Sequence, residues 1–260
     1  MNYWTDLSIT YASQRSYLDD LFRVYPTVPE GIRDVDNSLW NEIETAFNGK
    51  NDIVLLKKLL KLKLFPIKDS YVAYLRRDKH ALEHNPATVS RICGRLYEMG
   101  LSEIFKKSSE AKETNRQIGP LFKRWIESGV LGVPILQERD FVLNNSNAIL
   151  RGSDNQLADF AKRHLCYTRN KGLDFIGRFN GKYVIGESKF LTDFGGHQNA
   201  QFNDAIELLK LEAVAAMKIA ILDGVLYIGG KSKMHNFLKT CPSGYNILSA
   251  LVLREFLYQL

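Results

Sequence analysis

The chain has 260 residues, 35 Lys and Arg against 29 Asp and Glu for a formal net charge of +6, and a 45% hydrophobic share; enough apolar side chain is present to offset ordering entropy, which excludes a wholly disordered or collagen-like chain. No apolar stretch approaches the roughly 18 residues that cross a bilayer, and residues 1–20 lack a basic start followed by an apolar run, so we expect a cytoplasmic protein with neither membrane contact nor leader. Cys93, Cys166 and Cys241 have no paired spacing, which argues for free thiols rather than a disulfide framework or a zinc site.

Along the chain, residues 13–23 carry Tyr17, Leu18, Leu21 and Phe22 at helical spacing, and Pro26 and Pro29 then break the pattern. Asn37 or Ser38 can cap a helix through Leu39, Ile43 and Phe47 that stops at Gly49. Residues 53–64 alternate leucines with Lys57, Lys58, Lys61 and Lys63, a core-packed helix with a wet face. Asn85-Pro86 starts a helix through Val89, Ile92, Cys93 and Leu96 to Gly100. A polar helical stretch leads into residues 117–126, which Pro120 starts or kinks. Beyond residue 130 the pattern changes: a helix over 153–165, β-like runs over 172–179 and 182–191, a helix over 200–217, strands over 218–222 and 225–228, and a closing helix over 247–260. We expect an α/β fold, a mixed central β-sheet flanked by helices, with a helical N-terminal region.

The chemistry concentrates on the two β-like runs. Asn180-Gly181 between apolar segments is a strong hairpin signal. A two-residue turn there makes facing positions sum to 361, so Asp174 is expected opposite Glu187 and Gly172 opposite Lys189. Alternation puts Glu187 and Lys189 on one face and turns Ser188 away. Two carboxylates facing each other on an apolar hairpin destabilise it unless something neutralises them. A divalent cation does so, and hard oxygen donors suit Mg²⁺. Lys189 then lies beside the cation, where it can stabilise a phosphate or orient water, and Gly172 is expected to leave room for a bulky ligand. An ordinary ion-pair ladder remains open on spacing alone.

Asp174 followed after twelve residues by Glu187-Ser188-Lys189 resembles the D…(D/E)xK signature of the PD-(D/E)XK nuclease superfamily. The phrases GLDFIGRFNGKYVIGESKFLTDFGGHQNAQF and RQIGPLFKRWI are similar to type II restriction endonucleases of that group, over roughly residues 117–222. Leu173 stands where the motif's name places proline. The resemblance implies a restriction-endonuclease-like core with Asp174 and Glu187 as metal ligands and Lys189 as the catalytic lysine. It also implies a possible additional acid from a preceding helix, for which Glu113 is the nearest candidate, although Lys123 and Arg124 stand where an acid is otherwise expected. The activity implied is Mg²⁺-dependent, site-specific cleavage of double-stranded DNA to 5′-phosphate and 3′-hydroxyl ends, by a homodimer whose two-fold symmetry matches a palindromic site. A repair or junction-resolving nuclease, and a DNA-binding module without catalysis, stay open as alternatives.

A sequence pI near 9.1 favours an anionic partner. After the ExK strand, Gly196, His197, Gln198, Asn199, Gln201 and Asn203 are expected to contact DNA, since amides pair with adenine and glycine permits close approach to phosphate. Arg76, Arg77, Lys79, Arg91 and Arg95, followed by Lys106, Lys107, Lys112 and Arg116, offer a clamp on the backbone. The expected domains are a helical, DNA-contacting region over 1–110 and a catalytic core over 111–260.

Overall fold

A computed structural model describes residues 2–14, 16–26, 33–78, 80–110 and 118–260. The chain forms two units, one of Met1–Thr27 with Thr114–Leu260 and one of Val28–Glu113. The opening residues, grouped by pattern with the helical region, thus sit with the sheet. Their polar atoms show why. In α1 (Tyr3–Ala12) the Thr5 hydroxyl donates to the Ile247 carbonyl (2.9 Å) and Ser8 Oγ accepts from the Ser249 N–H (3.0 Å). In α2 (Tyr17–Val24), Tyr17, Leu21 and Val24 enter the core.

The helical unit contains α3 (Asn37–Asn48), α4 (Asp52–Leu59), α5 (Val72–Leu75), α6 (Ala81–His84) and α7 (Pro86–Ser109). Asp36 caps α3 by accepting from the Leu39 N–H (2.7 Å), one residue before the expected cap. Ile43, Leu55, Leu56, Leu59, Ile92 and Leu96 form its core. The helix that the pattern ends at Gly100 breaks there, at φ 77°, and then resumes to Ser109. Several expected clamp residues spend their charge locally: Arg91 pairs with Asp69 (2.6 Å), Arg95 with Glu98 (2.9 Å) and Lys107 with Glu110 (2.8 Å). Lys79, Lys112 and Arg116 lie outside the described residues.

The other unit continues through α8 (Ile118–Glu127), β1 (Ile135–Leu136), α9 (Glu138–Leu143), β2 (Ala148–Leu150), α10 (Asp154–His164), β3 (Phe175–Phe179), β4 (Lys182–Leu191), α11 (Gly196–Leu209), β5 (Met217–Gly224), α12 (Lys233–Thr240), β6 (Asn246–Leu248) and α13 (Leu253–Tyr258). The strands lie in the order β1-β2-β3-β4-β5-β6. The β1–β2, β4–β5 and β5–β6 pairs are parallel, and β2–β3 and β3–β4 antiparallel. This is the expected mixed sheet flanked by helices, consistent with a restriction-endonuclease-like core. The continuous apolar run Ile219–Leu222 is buried, as a strand covered on both faces requires.

Three stretches differ from the pattern. Residues 225–227 form a 3₁₀ turn rather than a strand. Gly224 ends β5 at φ 100°, so close to β4 that a Cβ would meet the Leu191 carbonyl oxygen at 2.1 Å. Residues 247–260 split into β6, a 3₁₀ turn over Ala250–Val252 and α13, because Ile247 and Leu248 pair with β5. The helix expected over 200–217 starts at Gly196 and ends at Leu209, since Met217 already pairs with Val184. Among the described residues, no helix is long and apolar enough to cross a membrane.

Candidate active site

The hairpin that carries the site forms for the reason its sequence gives. Asn180 and Gly181 adopt positive φ (50° and 76°), the combination a tight two-residue turn demands. The register follows, from Phe179–Lys182 to Phe175–Gly186. Alternation then sends Val184 into the core with Phe175 and Phe179, and Ile185 into the opposite layer with Leu157, Phe160 and Leu173.

At the open end of the hairpin the arrangement departs from expectation. The ladder stops at Phe175–Gly186, and Asp174 is not simply opposite Glu187. Its N–H donates to the Gly186 carbonyl (3.1 Å), one residue short. The chain before it is drawn onto α10, where the Leu173 N–H donates to the Asp154 carbonyl (3.1 Å). Gly172 serves that approach: a Cβ there would lie 2.5 Å from the Asp154 Cβ. The missing side chain therefore makes room for α10, not for a ligand.

Asp174, Glu187 and Lys189 nevertheless converge. Lys189 Nζ donates to Asp174 Oδ2 (3.1 Å), Glu187 Oε2 (2.9 Å) and the Ser188 carbonyl (2.9 Å). The Ser188 N–H donates to Asp174 Oδ2 (2.8 Å) and fixes that carboxylate against β4. The Glu187 side chain is only 2% exposed, but it lies beneath groups that reach solvent: Asp174 at 17%, Lys189 at 21% and Lys171 at 32%. A cavity of about 30 Å³ adjoins Asp174, lined also by Lys123, Glu127 and Arg151. Lys123 pairs there with Asp154. Glu113 lies outside the described residues.

Sequence reasoning missed a second charged layer. Lys171 Nζ donates to Glu187 Oε2 (3.1 Å) and also to Asp204 Oδ2 on α11. Arg169 holds the other Asp204 oxygen (2.7 Å) and donates to the Asp204 carbonyl (3.2 Å). The one available signal was the cationic pair Arg169 and Lys171 shortly before Asp174. Nothing in the pattern joined it to a residue 33 positions beyond Lys171.

Burial pushes the Glu187 carboxyl above the usual range; Lys189 opposes this, Asp174 adds to it and Lys171 opposes it. Burial works to lower the Lys189 ammonium, but Asp174 and Glu187 outweigh it, so the group titrates above its ordinary value and stays charged. Asp204 is raised by burial and, more strongly, lowered by its bonds from Lys171 and Arg169. Behind β4, Ser188 faces away as expected, its Oγ 3.5 Å from the Tyr25 hydroxyl. That hydroxyl donates to Oδ2 of the wholly buried Asp223 (2.9 Å), which also accepts from the Ala250 N–H, while the Ser249 hydroxyl donates to Oδ1.

The donor set fits a hard divalent cation. Glu187 Oε1 is buried and has no hydrogen-bond partner, a cost that a cation would remove. Among the described residues, no group of three or more His, Cys, Asp and Glu side chains is placed to hold a metal ion together. The protein would therefore offer two carboxylates and leave other positions to water or phosphate oxygens, which is how Mg²⁺ is commonly held.

The expected DNA-contacting residues fall on the first turns of α11. Gly196, His197 and Asn203 are exposed. His197 Nε2 and Gln201 Nε2 lie 3.0 Å apart. Asn199 donates to the Phe194 carbonyl (2.9 Å). Gln198 differs from expectation: it is buried, and its amide is spent on the Thr192 hydroxyl (3.2 Å) and N–H (3.4 Å), holding the loop after β4.

A family model described as a Tsp45I type II restriction enzyme matches residues 2–260. None of the curated proteins and none of the solved structures matches the chain.

Proposed function

This chain belongs to the Tsp45I type II restriction enzyme family and is a site-specific deoxyribonuclease, and on that premise we propose that Asp174, Glu187 and Lys189 are its catalytic residues and Mg²⁺ its cation. Type II restriction enzymes generally need divalent metal ions. The observation that carries the assignment is the convergence of two carboxylates on one ammonium, Lys189 Nζ lying 3.1 Å from Asp174 Oδ2 and 2.9 Å from Glu187 Oε2, while the other Glu187 oxygen, Oε1, lacks a partner.

A divalent cation bound by Asp174 and Glu187 would supply the charge that activates water and stabilises the leaving oxygen. Lys189 keeps its proton, donates toward the phosphoryl oxygens as negative charge builds there, and orients the attacking water. Water attacks phosphorus in line, the bond from phosphorus to the 3′ oxygen breaks, and that oxygen takes a proton, leaving 5′-phosphate and 3′-hydroxyl ends. The Ser188 N–H keeps Asp174 in register while this happens.

Gly196, His197, Gln201 and Asn203, four or more residues beyond β4, are the proposed DNA contacts, with Asn199 and Gln198 shaping the loop beneath them. Arg76 and Arg77 of the helical unit are exposed and suited to the phosphate backbone. A homodimer would place two such sites on opposite strands of a palindrome.

The test is digestion of a sequenced plasmid with Mg²⁺, followed by end mapping. We expect discrete fragments from the wild type. Asp174→Asn and Lys189→Met should lose cutting by at least about 10²-fold, the cost of removing one preorganised charged contact, while still binding the specific site. Full cutting by either variant refutes the assignment.

A further inference from the structure

Lys171 is the least settled charge in the cluster. Its ammonium is shared between Glu187 Oε2 and Asp204 Oδ2 and is partly open to solvent. Asp204 is anchored independently by Arg169, through both its side chain and its backbone carbonyl. The network thus pairs three carboxylates, Asp174, Glu187 and Asp204, with three cations, Lys189, Lys171 and Arg169. A dication at the Glu187 carboxylate, whose Oε1 is open, is opposed by the two ammonium groups held on Oε2, because like charges at that range repel strongly away from bulk water. Lys189 has two other acceptors, the Ser188 carbonyl on its own strand and Asp174 across the hairpin. Lys171 has one, Asp204, on a different element.

We propose that Asp204 is a positioning residue which draws Lys171 off Glu187, so that a divalent cation can bind that carboxylate against one fewer ammonium group. Lys171 remains within reach on Asp204, and its positive charge stays beside the site when an anionic phosphodiester arrives. This rests on the reading of Asp174 and Glu187 as cation ligands. It adds a control that no residue of the D…ExK motif provides: occupancy of Glu187 is set by competition between a side chain and an ion, and α11 biases the outcome.

The experiment measures Mn²⁺ binding to the DNA-free, full-length protein by the loss of the free-ion electron paramagnetic resonance signal. Glu187→Gln should abolish the binding. Lys171→Met should tighten it on the order of tenfold, the size expected when one ammonium beside a dication site is removed in a partly solvated setting. Asp204→Asn should weaken it by a similar factor, because Lys171 then has only Glu187 to hold. Lys171→Arg should bind as the wild type does. The decisive measurement is the double variant. If Asp204 acts through Lys171, Asp204→Asn changes nothing in a Lys171→Met background. If it acted only as a distant negative charge, the weakening would persist there, and that result overturns the proposal. Unchanged affinity in both single variants overturns it as well. Mn²⁺ binding that survives Glu187→Gln, or no binding at all, removes the underlying reading of the metal ligands and the proposal with it; the wild-type and Glu187→Gln titrations distinguish that failure from the others.

Discussion

Asp223 gives the most direct measure of how the region behind the site is built. Its carboxyl is wholly buried on β5, and burial raises its pKa from 3.8 to about 6 despite bonds from Ser249, Ala250 and Tyr25. The native state therefore holds a proton more tightly than the unfolded chain does. The contribution of Asp223 to stability is greatest below pH 4, falls as pH rises through the interval between the two values, and stays lowered above pH 6. A shift of roughly two units at about 1.36 kcal/mol each costs about 3 kcal/mol once Asp223 is ionised. In Asp223→Asn this slope is absent, although the variant loses acceptor strength toward Ser249 and Tyr25. The assay is urea unfolding of both proteins at intervals from pH 4 to pH 8, extrapolated linearly to water. The wild-type curve should fall relative to the variant by about 2 kcal/mol between pH 4 and pH 7, the rest of the effect lying below pH 4. Parallel curves would show that Asp223 ionises as freely folded as unfolded, and the reasoning from burial would be wrong.

Glu187 yields a prediction whose sign depends on the cation. With chelator present, the buried Glu187 charge destabilises the fold, so Glu187→Gln should melt higher, by about 2–4 °C for each kcal/mol gained in a domain of this size. Cation at a hundred times its dissociation constant adds about 2.7 kcal/mol to the wild type alone and should reverse the order; the same ranking in both buffers counts against Glu187 as a ligand. Gly172→Ala forces a Cβ into the Asp154 side chain and backbone and should cost about 1–3 kcal/mol of stability as overpacking. Thermal melts read this, and weaker DNA binding with an unchanged melt would return Gly172 to the ligand-facing role that its sequence position predicts.

What was legible in the sequence was whatever local chemistry determines. Asn180-Gly181 sets its own turn, the turn sets the register, and the register puts Glu187 beside Lys189 with Ser188 behind them. Asn85-Pro86 and Gly100 mark the start and the break of one helix because each acts through its own backbone. Short elements were not legible. Strands β1 and β2 have two and three residues, too few for a period to declare itself. The apolar run from Ile247 to Leu253 reads equally as helix or strand until β5 is there to pair with its start.

The site divides along the same line. A two-residue turn propagates its register only as far as both strands remain straight. Beyond Phe175 the chain answers to α10 instead, which shifts Asp174 off its expected partner and turns Gly172 into a packing device. Lys171 and Asp204 meet because β4 hands the chain to α11, which packs on the sheet and carries Asp204 in its third turn to Lys171. That meeting depends on where a helix settles on a sheet, a tertiary outcome with no local spacing to announce it. A motif written along one hairpin therefore captures the groups that would hold a cation, while the groups that would compete with it come from elsewhere in the fold. For that reason the competition, more than the motif, is where substitutions at Lys171 and Asp204 should separate cation affinity from cleavage.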